Sequence, residues 1–473
     1  MDRLHRLERA GGIDDLDDVA PFGGERVELR PVAGCPPGGG RLPTGRGGGA
    51  EDREHDEDFE HTAHDTSPGG GARIIPPPCG SSAASAIDAT PRLIDVMRPF
   101  PSPRAALVVG HCRHQMRSVA RLLVRAGLVC DAVASDPRLA NSGMVRRVFP
   151  FEPAPRWIEG ALAWQTRTGG LVVPCDDDLV RQVRDAPLDG VTKCRLVPLT
   201  GPEHLAHAGS KVGLARALAA GGVAAPRFTV VESAGGIVAA CEDVGYPVMV
   251  KVDESGGGQG VFPCGTRADA EALQTRGLRA PLLVQEAIDG DLIDLSGFFR
   301  GGHPVHFVHN VHLEMIGSRF GVSKLRRYTR LADLDREVFE ALVHVGGVLG
   351  LDGFVNISAL RRPGDGRLLF IEADLRPNVW VEASRLFGDD PAPAIRASLD
   401  EGYTLACPPP RPPCAPETVD LPYPFRLRPW EILTNRHGVW RTLGEHAAID
   451  LLRHLVGSVW RSLPGLPSRL GRG

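Results

Sequence analysis

The sequence predicts a parallel α/β domain followed by a larger α+β domain, with a disordered region at the N-terminal side. Three observations support this prediction. Residues 1–103 alternate Gly/Pro clusters with an acidic run and show no sustained period of 2 or 3.6. Residues 104–200 alternate apolar runs with amphipathic stretches, which is typical of β-α-β units. Residues 201–402 contain strand-like pairs joined by glycine turns, and residues 403–473 open with a Pro-rich linker.

The composition excludes several classes of protein. The chain has 473 residues, of which 42% are hydrophobic and 24% charged, as in soluble globular proteins of about three domains. A net charge of -4 excludes a polycation that binds nucleic acid. The sequence has no run of 18 apolar residues and no apolar signal segment, so we expect no transmembrane segment and a cytoplasmic location. The ten cysteines form no C-x-x-C pair, which predicts free thiols.

The basic residues are unusually uneven. The chain has 50 arginines and only four lysines, at positions 193, 211, 251 and 324. In such a chain a lysine indicates a site that needs a compact ammonium instead of a planar guanidinium fork. Chance survival of a few lysines is the alternative interpretation.

The first domain begins with a strand, helix and strand in the segments ALVVG, RHQMRSVARLLVRAG and LVCDAVAS. The turn after the first strand reads GHCRHQ, where a dinucleotide-binding fold requires G-x-G-x-x-G, so nicotinamide binding is disfavoured. Asp176, Asp177 and Asp178 follow a strand and open a helix. We predict that these acids cap the helix and take no part in catalysis.

A lysine and a glycine-rich loop lie together in GYPVMVKVDESGGGQGV. Residues 246–252 have the composition of a strand, and Lys251 lies near its end. Glycines in the loop that follows allow backbone N–H groups to surround an anion, and the ammonium supplies charge. The pattern predicts a phosphate clamp, although it is not a Walker A loop because the lysine precedes the glycines. The candidate loop residues are Ser255, Gly256, Gly257, Gly258 and Gly260.

Two further segments follow. LLVQEAIDG predicts a strand that ends in Gln285 and Glu286 and enters a linker whose backbone edge can bind an adenine. SGFFRGGHPVHFVHN predicts a β-hairpin around two adjacent glycines. Histidines recur there every third residue, but on a strand they alternate faces, so we do not predict a metal site.

The last motif is GFVNISALRRPGDGRLLFIEADLRP, which predicts a strand, a turn and a strand. Glu372 and Asp374 lie two residues apart at the end of the second strand, so they point to one face. Paired carboxylates of this kind suit Mg²⁺, which takes one or two carboxylates together with substrate phosphates. Arg376 shares this face.

These residues, in this order, resemble the ATP-grasp superfamily over about residues 104–402. The resemblance implies a Rossmann-like pre-grasp domain over 104–200 and an ATP-grasp fold of two α+β subdomains over 201–402. It also implies that Lys211 and Lys251 bind ATP phosphates under a lid formed by residues 255–260. Further sites implied by the resemblance are Gln285, Glu286 and the backbone near Ile288 for adenine, Glu372 and Asp374 for Mg²⁺ or Mn²⁺, and Arg376 for the acyl-phosphate.

The sequence departs from the family pattern at several positions. Asp374 and Leu375 replace the usual Asn and Pro. Ser358 stands where many members have a third metal ligand, and Leu292 stands where a ribose-binding Glu often lies. Asp291 or Asp294 is the candidate substitute for that Glu. A basic cluster, SKLRRYT, is open to two interpretations: it binds the substrate carboxylate or the γ-phosphate, or it is a solvated loop.

The resemblance implies an ATP- and Mg²⁺-dependent ligase that joins a small-molecule carboxylate to an amine through an acyl-phosphate, with Lys251 and Arg376 as catalytic residues. The alternative is a degenerate member that binds nucleotide or a partner without ligation, which Ser358 and Leu292 favour. Beyond the Pro-rich linker, residues 403–473 predict an amphipathic helix. We expect this helix to dock onto the preceding domain, with a membrane-surface or partner helix as the alternative.

Overall fold

A computed structural model describes most of the chain after residue 102. The described residues are 103–256, 258, 260–315, 323–329, 336–378, 381–400, 418–422 and 429–434. Nearly all of the region predicted to be disordered, and the predicted C-terminal amphipathic helix, lie outside the described residues. Three β-sheets organise the described part of the chain.

The first sheet is parallel and has four strands in the order β3-β2-β1-β4. The predicted strand-helix-strand unit at its start is present, and helix α1 buries Met116, Val119, Leu122 and Leu123 against the strands. The elements are β1 (Ala105–Gly110), α1 (Arg113–Arg125), β2 (Val129–Ala134), β3 (Arg147–Pro150), α2 (Arg156–Thr168), β4 (Leu171–Pro174), α3 (Asp177–Asp185) and the short α4 (Gly190–Cys194).

The second sheet is small and antiparallel, in the order β5-β8-β6-β7. Its core contains Ile237, Val248 and Val284. The strand predicted over residues 246–252 is confirmed from Val248 onward, and the strand predicted to end in Gln285 and Glu286 is confirmed. The elements are α5 (Lys211–Ala220), β5 (Phe228–Val231), α6 (Ile237–Val244), β6 (Val248–Val252), β7 (Val261–Cys264), α7 (Arg267–Gln274) and β8 (Leu282–Glu286).

The third sheet is antiparallel and has six strands in the order β13-β12-β9-β10-β11-β14. Its elements are β9 (Asp291–Arg300), β10 (His303–Met315), β11 (Ser323–Thr329), α8 (Arg336–Leu349), β12 (Phe354–Arg361), β13 (Leu368–Asp374), α9 (Pro391–Ser398), β14 (Thr418–Pro422) and α10 (Pro429–Leu433). The predicted hairpin is confirmed: Gly301 and Gly302 both have positive φ, as a two-residue turn between β9 and β10 requires. Strand β14, which the sequence analysis did not predict, pairs with β11.

The third sheet has one apolar face and one polar face. Ile293, Leu295 and Ile357 belong to the same buried cluster as Leu342 and Val345 of α8. Since side chains alternate along a strand, the residues between them point the other way. The strand register aligns these polar residues in two rows, Asp294–Ser358–Glu372 and Ser296–Asn356–Asp374.

The first and third sheets are joined by buried charges. Glu382, which follows β13, is 2% exposed and accepts hydrogen bonds from Arg121 and Arg125 of α1, the latter at 2.7 Å. Arg125 also pairs with Asp390, at the start of α9. These contacts hold the helix side of the first sheet against the segment that follows β13. Within the described residues, every helix is too short or too polar to cross a lipid bilayer.

Candidate functional site

Lys251 is a buried lysine at the end of strand β6. Its side chain is 8% exposed, and its ammonium donates a hydrogen bond to Gln285 Oε1 on β8 at 2.7 Å. Burial lowers the pKa of Lys251 to about 8, and the neighbouring Lys211 charge acts in the same direction, while Glu372 opposes it. An anion bound at this ammonium would restore the charge that burial disfavours.

Lys211 opens helix α5, and the chain after β6 fixes its position. Asp253 accepts hydrogen bonds from the hydroxyl of the N-cap residue Ser210 at 2.9 Å and from the Val212 amide at 2.7 Å. The Lys211 ammonium donates to the Ser255 carbonyl oxygen and lies 3.9 Å from Glu372 Oε1. Lys211 thus lies beside a carboxylate of the third sheet, and the charge of that carboxylate also acts on the pKa of Lys251.

The glycine-rich loop joins β6 to β7. The Val252 amide donates to the Gly260 carbonyl at 2.8 Å, and the Ser255 hydroxyl donates to the Val252 carbonyl at 3.0 Å. A Cβ at Gly260 would contact the Ser255 side chain, so this close approach requires a glycine. Gly256 and Gly258 lie between these anchors, and Gly257 lies outside the described residues.

The segment after β8 is tied to the second sheet by its backbone. The Glu286 amide donates to the Arg227 carbonyl at 2.8 Å, and the Ala287 amide donates to the Pro247 carbonyl at 3.1 Å. The Glu286 carboxylate lies 3.5 Å from Arg227 Nε, and Ile288 is buried. Gln285 points to Lys251, so the predicted adenine segment and the predicted phosphate lysine belong to one sheet.

Glu372 and Asp374 end strand β13 on the polar face of the third sheet. The side chain of Glu372 is 41% exposed, whereas that of Asp374 is 16% exposed and accepts a hydrogen bond from Asn356 Nδ2 at 3.3 Å. Burial raises the pKa of Asp374 well above its usual range; the Asp177 and Glu372 charges also raise it, and the Arg376 charge lowers it.

The chemistry of this donor set fits a hard divalent cation. Two carboxylates on one strand face offer oxygen ligands of the kind that Mg²⁺ and Mn²⁺ prefer. Burial and the Asp177 and Glu372 charges disfavour the charged form of Asp374, Arg376 offsets part of this effect, and a bound cation would favour the charged form further. Glu372 and Asp374 thus offer oxygen ligands that could hold such an ion.

Arg376 lies at the junction of the first and third sheets. Its Nε and Nη2 donate to the two oxygens of Asp177 at 2.7 and 2.8 Å, and Nη2 also donates to Asp374 Oδ2 at 3.0 Å. The adjacent carboxylates raise the pKa of Arg376 although burial opposes them. Nη1 makes a 3.5 Å contact with the Pro377 carbonyl.

Asp176, Asp177 and Asp178 open α3 as predicted, with Asp176 at the N-cap and the other two in the first turn, but the predicted side-chain capping bond is absent. The N-cap residue Asp176 makes no side-chain capping bond, and its Oδ2 accepts instead from the His111 amide at 2.7 Å. Asp177 binds Arg376, which is 199 residues away in the sequence. Spacing within a sequence carries no signal for a pair of this separation, so the sequence analysis missed Asp177.

Asp294 lies in a buried polar cluster of the third sheet. Its carboxylate accepts a hydrogen bond from the Ser358 hydroxyl at 2.7 Å and lies 2.8 Å from both His312 Nε2 and Arg326 Nη1. Burial alone would raise the pKa of Asp294, but the Arg326 guanidinium, with His312 and Ser358, holds it well below its usual range. The predicted ribose-binding carboxylate is thus already paired, and Leu292 faces Leu360 on the neighbouring strand.

The predicted basic cluster is part of strand β11, so the loop interpretation is wrong. Each of its basic residues pairs with an acid: Lys324 lies 2.8 Å from Glu431, and Arg327 lies 2.7 Å from Asp420. Arg326 belongs to the Asp294 cluster on the polar face.

Comparisons with known proteins rest on structure alone. No family model matches the sequence, and no curated protein matches it. Among solved structures, the chain is similar to the ADP complex of PurK, an N5-carboxyaminoimidazole ribonucleotide synthetase, at 12% identity over 67% of this chain and 81% of that one, with a TM-score of 0.50. The ADP complex of N5-carboxyaminoimidazole synthetase from Staphylococcus aureus matches at 13% identity over 65% and 79%, with a TM-score of 0.49.

A third similar structure is the biotin carboxylase domain dimer of 2-oxoglutarate carboxylase from Hydrogenobacter thermophilus, in complex with MgADP, ADP and bicarbonate. It matches at 16% identity over 64% of this chain and 71% of that one, with a TM-score of 0.47. At these identities the likeness concerns the fold.

Proposed function

We propose that this chain, which has the ATP-grasp fold, is an ATP- and Mg²⁺-dependent ligase that joins a carboxylate to an amine. The observation that carries the proposal is a group of three charges: the Lys211 ammonium lies 3.9 Å from Glu372 Oε1, and the charges of Glu372 and Lys211 both act on the pKa of the buried Lys251 ammonium. The similar solved structures include complexes with ADP and with MgADP, which supports the assignment of nucleotide and metal.

In this proposal the second and third sheets hold ATP between them. Lys211 and Lys251 bind its phosphates, the loop at 255–260 covers them, and Gln285, Glu286 and the backbone near Ile288 hold the adenine. Without nucleotide, the Lys251 ammonium donates to Gln285 Oε1. A bound phosphate becomes its partner in this proposal, because a phosphate favours the charged form of the lysine. The first sheet then serves as a Rossmann-like pre-grasp domain.

Glu372 and Asp374 would hold the magnesium ion, or a manganese ion in its place. When bound, such an ion neutralises phosphate charge and polarises the transferred phosphoryl group. The chain itself supplies the oxygen ligands, and Asn356 and Arg376 fix the orientation of Asp374 through hydrogen bonds to Oδ2.

The proposed reaction has two steps. A substrate carboxylate oxygen attacks the γ-phosphorus, the bond to the β-phosphate oxygen breaks, and acyl-phosphate and ADP form. The amine nitrogen then attacks the acyl carbon, phosphate leaves, and the nitrogen loses a proton. In this proposal Lys211 and Lys251 offset the anionic charge that would repel the carboxylate, and Arg376 faces the acyl-phosphate. The loop excludes water, which would hydrolyse the intermediate.

The test is ADP release by the full chain with ATP and Mg²⁺, against pools of amino acids, dipeptides and small carboxylic acids. We expect release that depends on one carboxylate pool and is lost in Lys251→Ala and in Glu372→Ala. Asp374→Asn keeps an oxygen ligand and should be tolerated. Lys193→Ala is the matched control, since Lys193 contacts only the Arg184 carbonyl among the contacts described. Full activity in Glu372→Ala would refute the metal assignment.

A degenerate ATP-grasp protein is the second candidate function. It is favoured by Ser358, which stands at the position of a third metal ligand and has no carboxylate. The Ser358 hydroxyl donates to Asp294. Such a protein binds nucleotide but releases no ADP with any substrate pool. Measurement of ADP binding beside ADP release distinguishes the two candidates.

A further inference from the structure

One guanidinium joins carboxylates that come from two different sheets. Asp177, in the first turn of α3, is bound by Arg376 in a fork, with N···O distances of 2.7 and 2.8 Å. A two-point contact of this kind fixes the plane of the guanidinium as well as its position. The same Nη2 reaches Asp374 Oδ2 at 3.0 Å, so the first sheet determines where Arg376 contacts the carboxylate of β13.

Both described hydrogen bonds to the Asp374 carboxylate end on one of its oxygens. Oδ2 accepts from Arg376 Nη2 and from Asn356 Nδ2. Asn356 is itself held, because its Oδ1 accepts from the Ser296 hydroxyl at 2.5 Å and from Asn378 at 3.1 Å. With Oδ2 fixed from two sides, Oδ1 is the oxygen that the carboxylate can offer to a cation.

We infer that Asp177 is a positioning residue for the cation site: it occupies the fork of Arg376 and so prevents Arg376 from closing over both oxygens of Asp374. The inference rests on the proposed function, since it concerns the ion that Glu372 and Asp374 would hold. An arginine fork binds a carboxylate best through two parallel N–H···O bonds. When Asp177 no longer binds the two N–H groups of Arg376, the adjacent Asp374 carboxylate can bind them instead. Its Oδ1 is then no longer available to the ion.

The next residue of α3 provides a matched control. Asp178 lies in the same turn and carries the same charge, but its described contacts are with Gln182 at 3.3 Å and His111 at 3.6 Å. Asp178→Asn therefore makes the same change in charge at the same helix terminus without touching Arg376. A difference in Mn²⁺ binding between the two variants is therefore due to the loss of the two-point contact with Arg376 and not to the change in local charge.

The experiment measures the binding of Mn²⁺ to the full chain in saturating ADP, from the paramagnetic resonance signal of the free ion. It needs no turnover. Since Asp178 lies with His111 and Asp176, whose ligand atoms are within 4.8 Å of one another, only the Mn²⁺ binding that depends on ADP is compared. We expect this binding to be equal in wild type and Asp178→Asn, and about 10- to 100-fold weaker in Asp177→Asn, as is typical when a residue behind a metal ligand is lost. In the Arg376→Gln background, Asp177→Asn should have no further effect, because the competing fork is gone.

Equal Mn²⁺ binding by Asp177→Asn and Asp178→Asn would overturn the inference. It would also be overturned if Asp177→Asn weakened Mn²⁺ binding by the same factor in the Arg376→Gln background as in wild type. Wild type that binds no Mn²⁺ would refute the proposed cation site itself, and the inference with it. Wild type that binds Mn²⁺ and ADP but releases no ADP would refute ligation alone. Thermal unfolding of each variant checks the fold, and Asp177→Ser provides a second removal of the fork if Asp177→Asn is unstable.

Discussion

The charge of Lys251 gives a prediction about nucleotide binding and pH. Burial holds the pKa of this ammonium at about 8 without nucleotide. A bound phosphate favours the charged form, so the pKa rises in the complex. Affinity for ADP should therefore be constant well below pH 8 and should fall above it, because deprotonation of the free protein then competes with binding.

The size of the effect follows from the same pKa. At pH 7 the ratio of neutral to charged Lys251 is about 0.1, and at pH 9 it is about 10, so the Kd for ADP should rise about tenfold between these values. The chain has only four lysines, so few other ammonium groups titrate in this range. The affinity loss should continue at about tenfold per pH unit above pH 9 until the pKa of the complex is reached.

Calorimetric titration of ADP and Mg²⁺ into the full chain between pH 7 and 9.5 measures this dependence. Lys251→Arg is the control, since a guanidinium stays charged throughout the range and should give weaker binding without the break at pH 8. A wild-type Kd that is unchanged between pH 7 and 9 would refute the reasoning. The same break in Lys251→Arg would assign the titration to another group.

Three further predictions concern stability and the loop. Glu382→Gln leaves the partly exposed Arg121 and Arg125 without their buried carboxylate and should lower the free energy of unfolding by about 2 kcal/mol, measured by urea unfolding; an unchanged midpoint would contradict this. Gly260→Ala places a methyl group against Ser255 and should raise the KM for ATP while the melting temperature changes little; an unchanged KM would count against the loop assignment. Ser358→Ala removes a donor to Asp294 and should cost about 1 kcal/mol of stability, with ADP release retained. Loss of ADP release at normal stability would instead give Ser358 a direct role.

The sequence predicted those parts of the site that are local in the chain. Lys251 and its glycine loop, and the pair Glu372 and Asp374, each lie within a few residues of one another, and their spacing on a strand determines which way they point. The rarity of lysine drew attention to four positions, among them Lys211, which lies 3.9 Å from Glu372, and Lys251, whose pKa the Glu372 charge raises. The order of apolar runs predicted the strands and the hairpin for the same reason, because periodicity is a local property.

The missed features are pairings between distant segments. Nothing around Asp177 distinguishes it from a helix-capping acid, and its partner Arg376 belongs to another sheet. Likewise, the sequence around the basic residues of β11 is compatible with a loop. Their position on a strand follows from pairing with β14 and from the contact of Arg326 with Asp294, which are distant in the sequence. A pattern of charged residues predicts that they form ion pairs, but tertiary packing determines which residues pair.

The separation of paired groups along the chain has a consequence for how the protein folds. Lys251 and Gln285 are 34 residues apart, Lys211 and Ser255 are 44 apart, and Asp177 and Arg376 are 199 apart. Contacts of long sequence separation close large loops and tend to form late and slowly. Chains that have formed only one sheet would lack a complete set of lysines and carboxylates. Capture of nucleotide and metal would therefore occur only after the last of these loops has closed, and the ligands would stabilise the finished molecule and no earlier species.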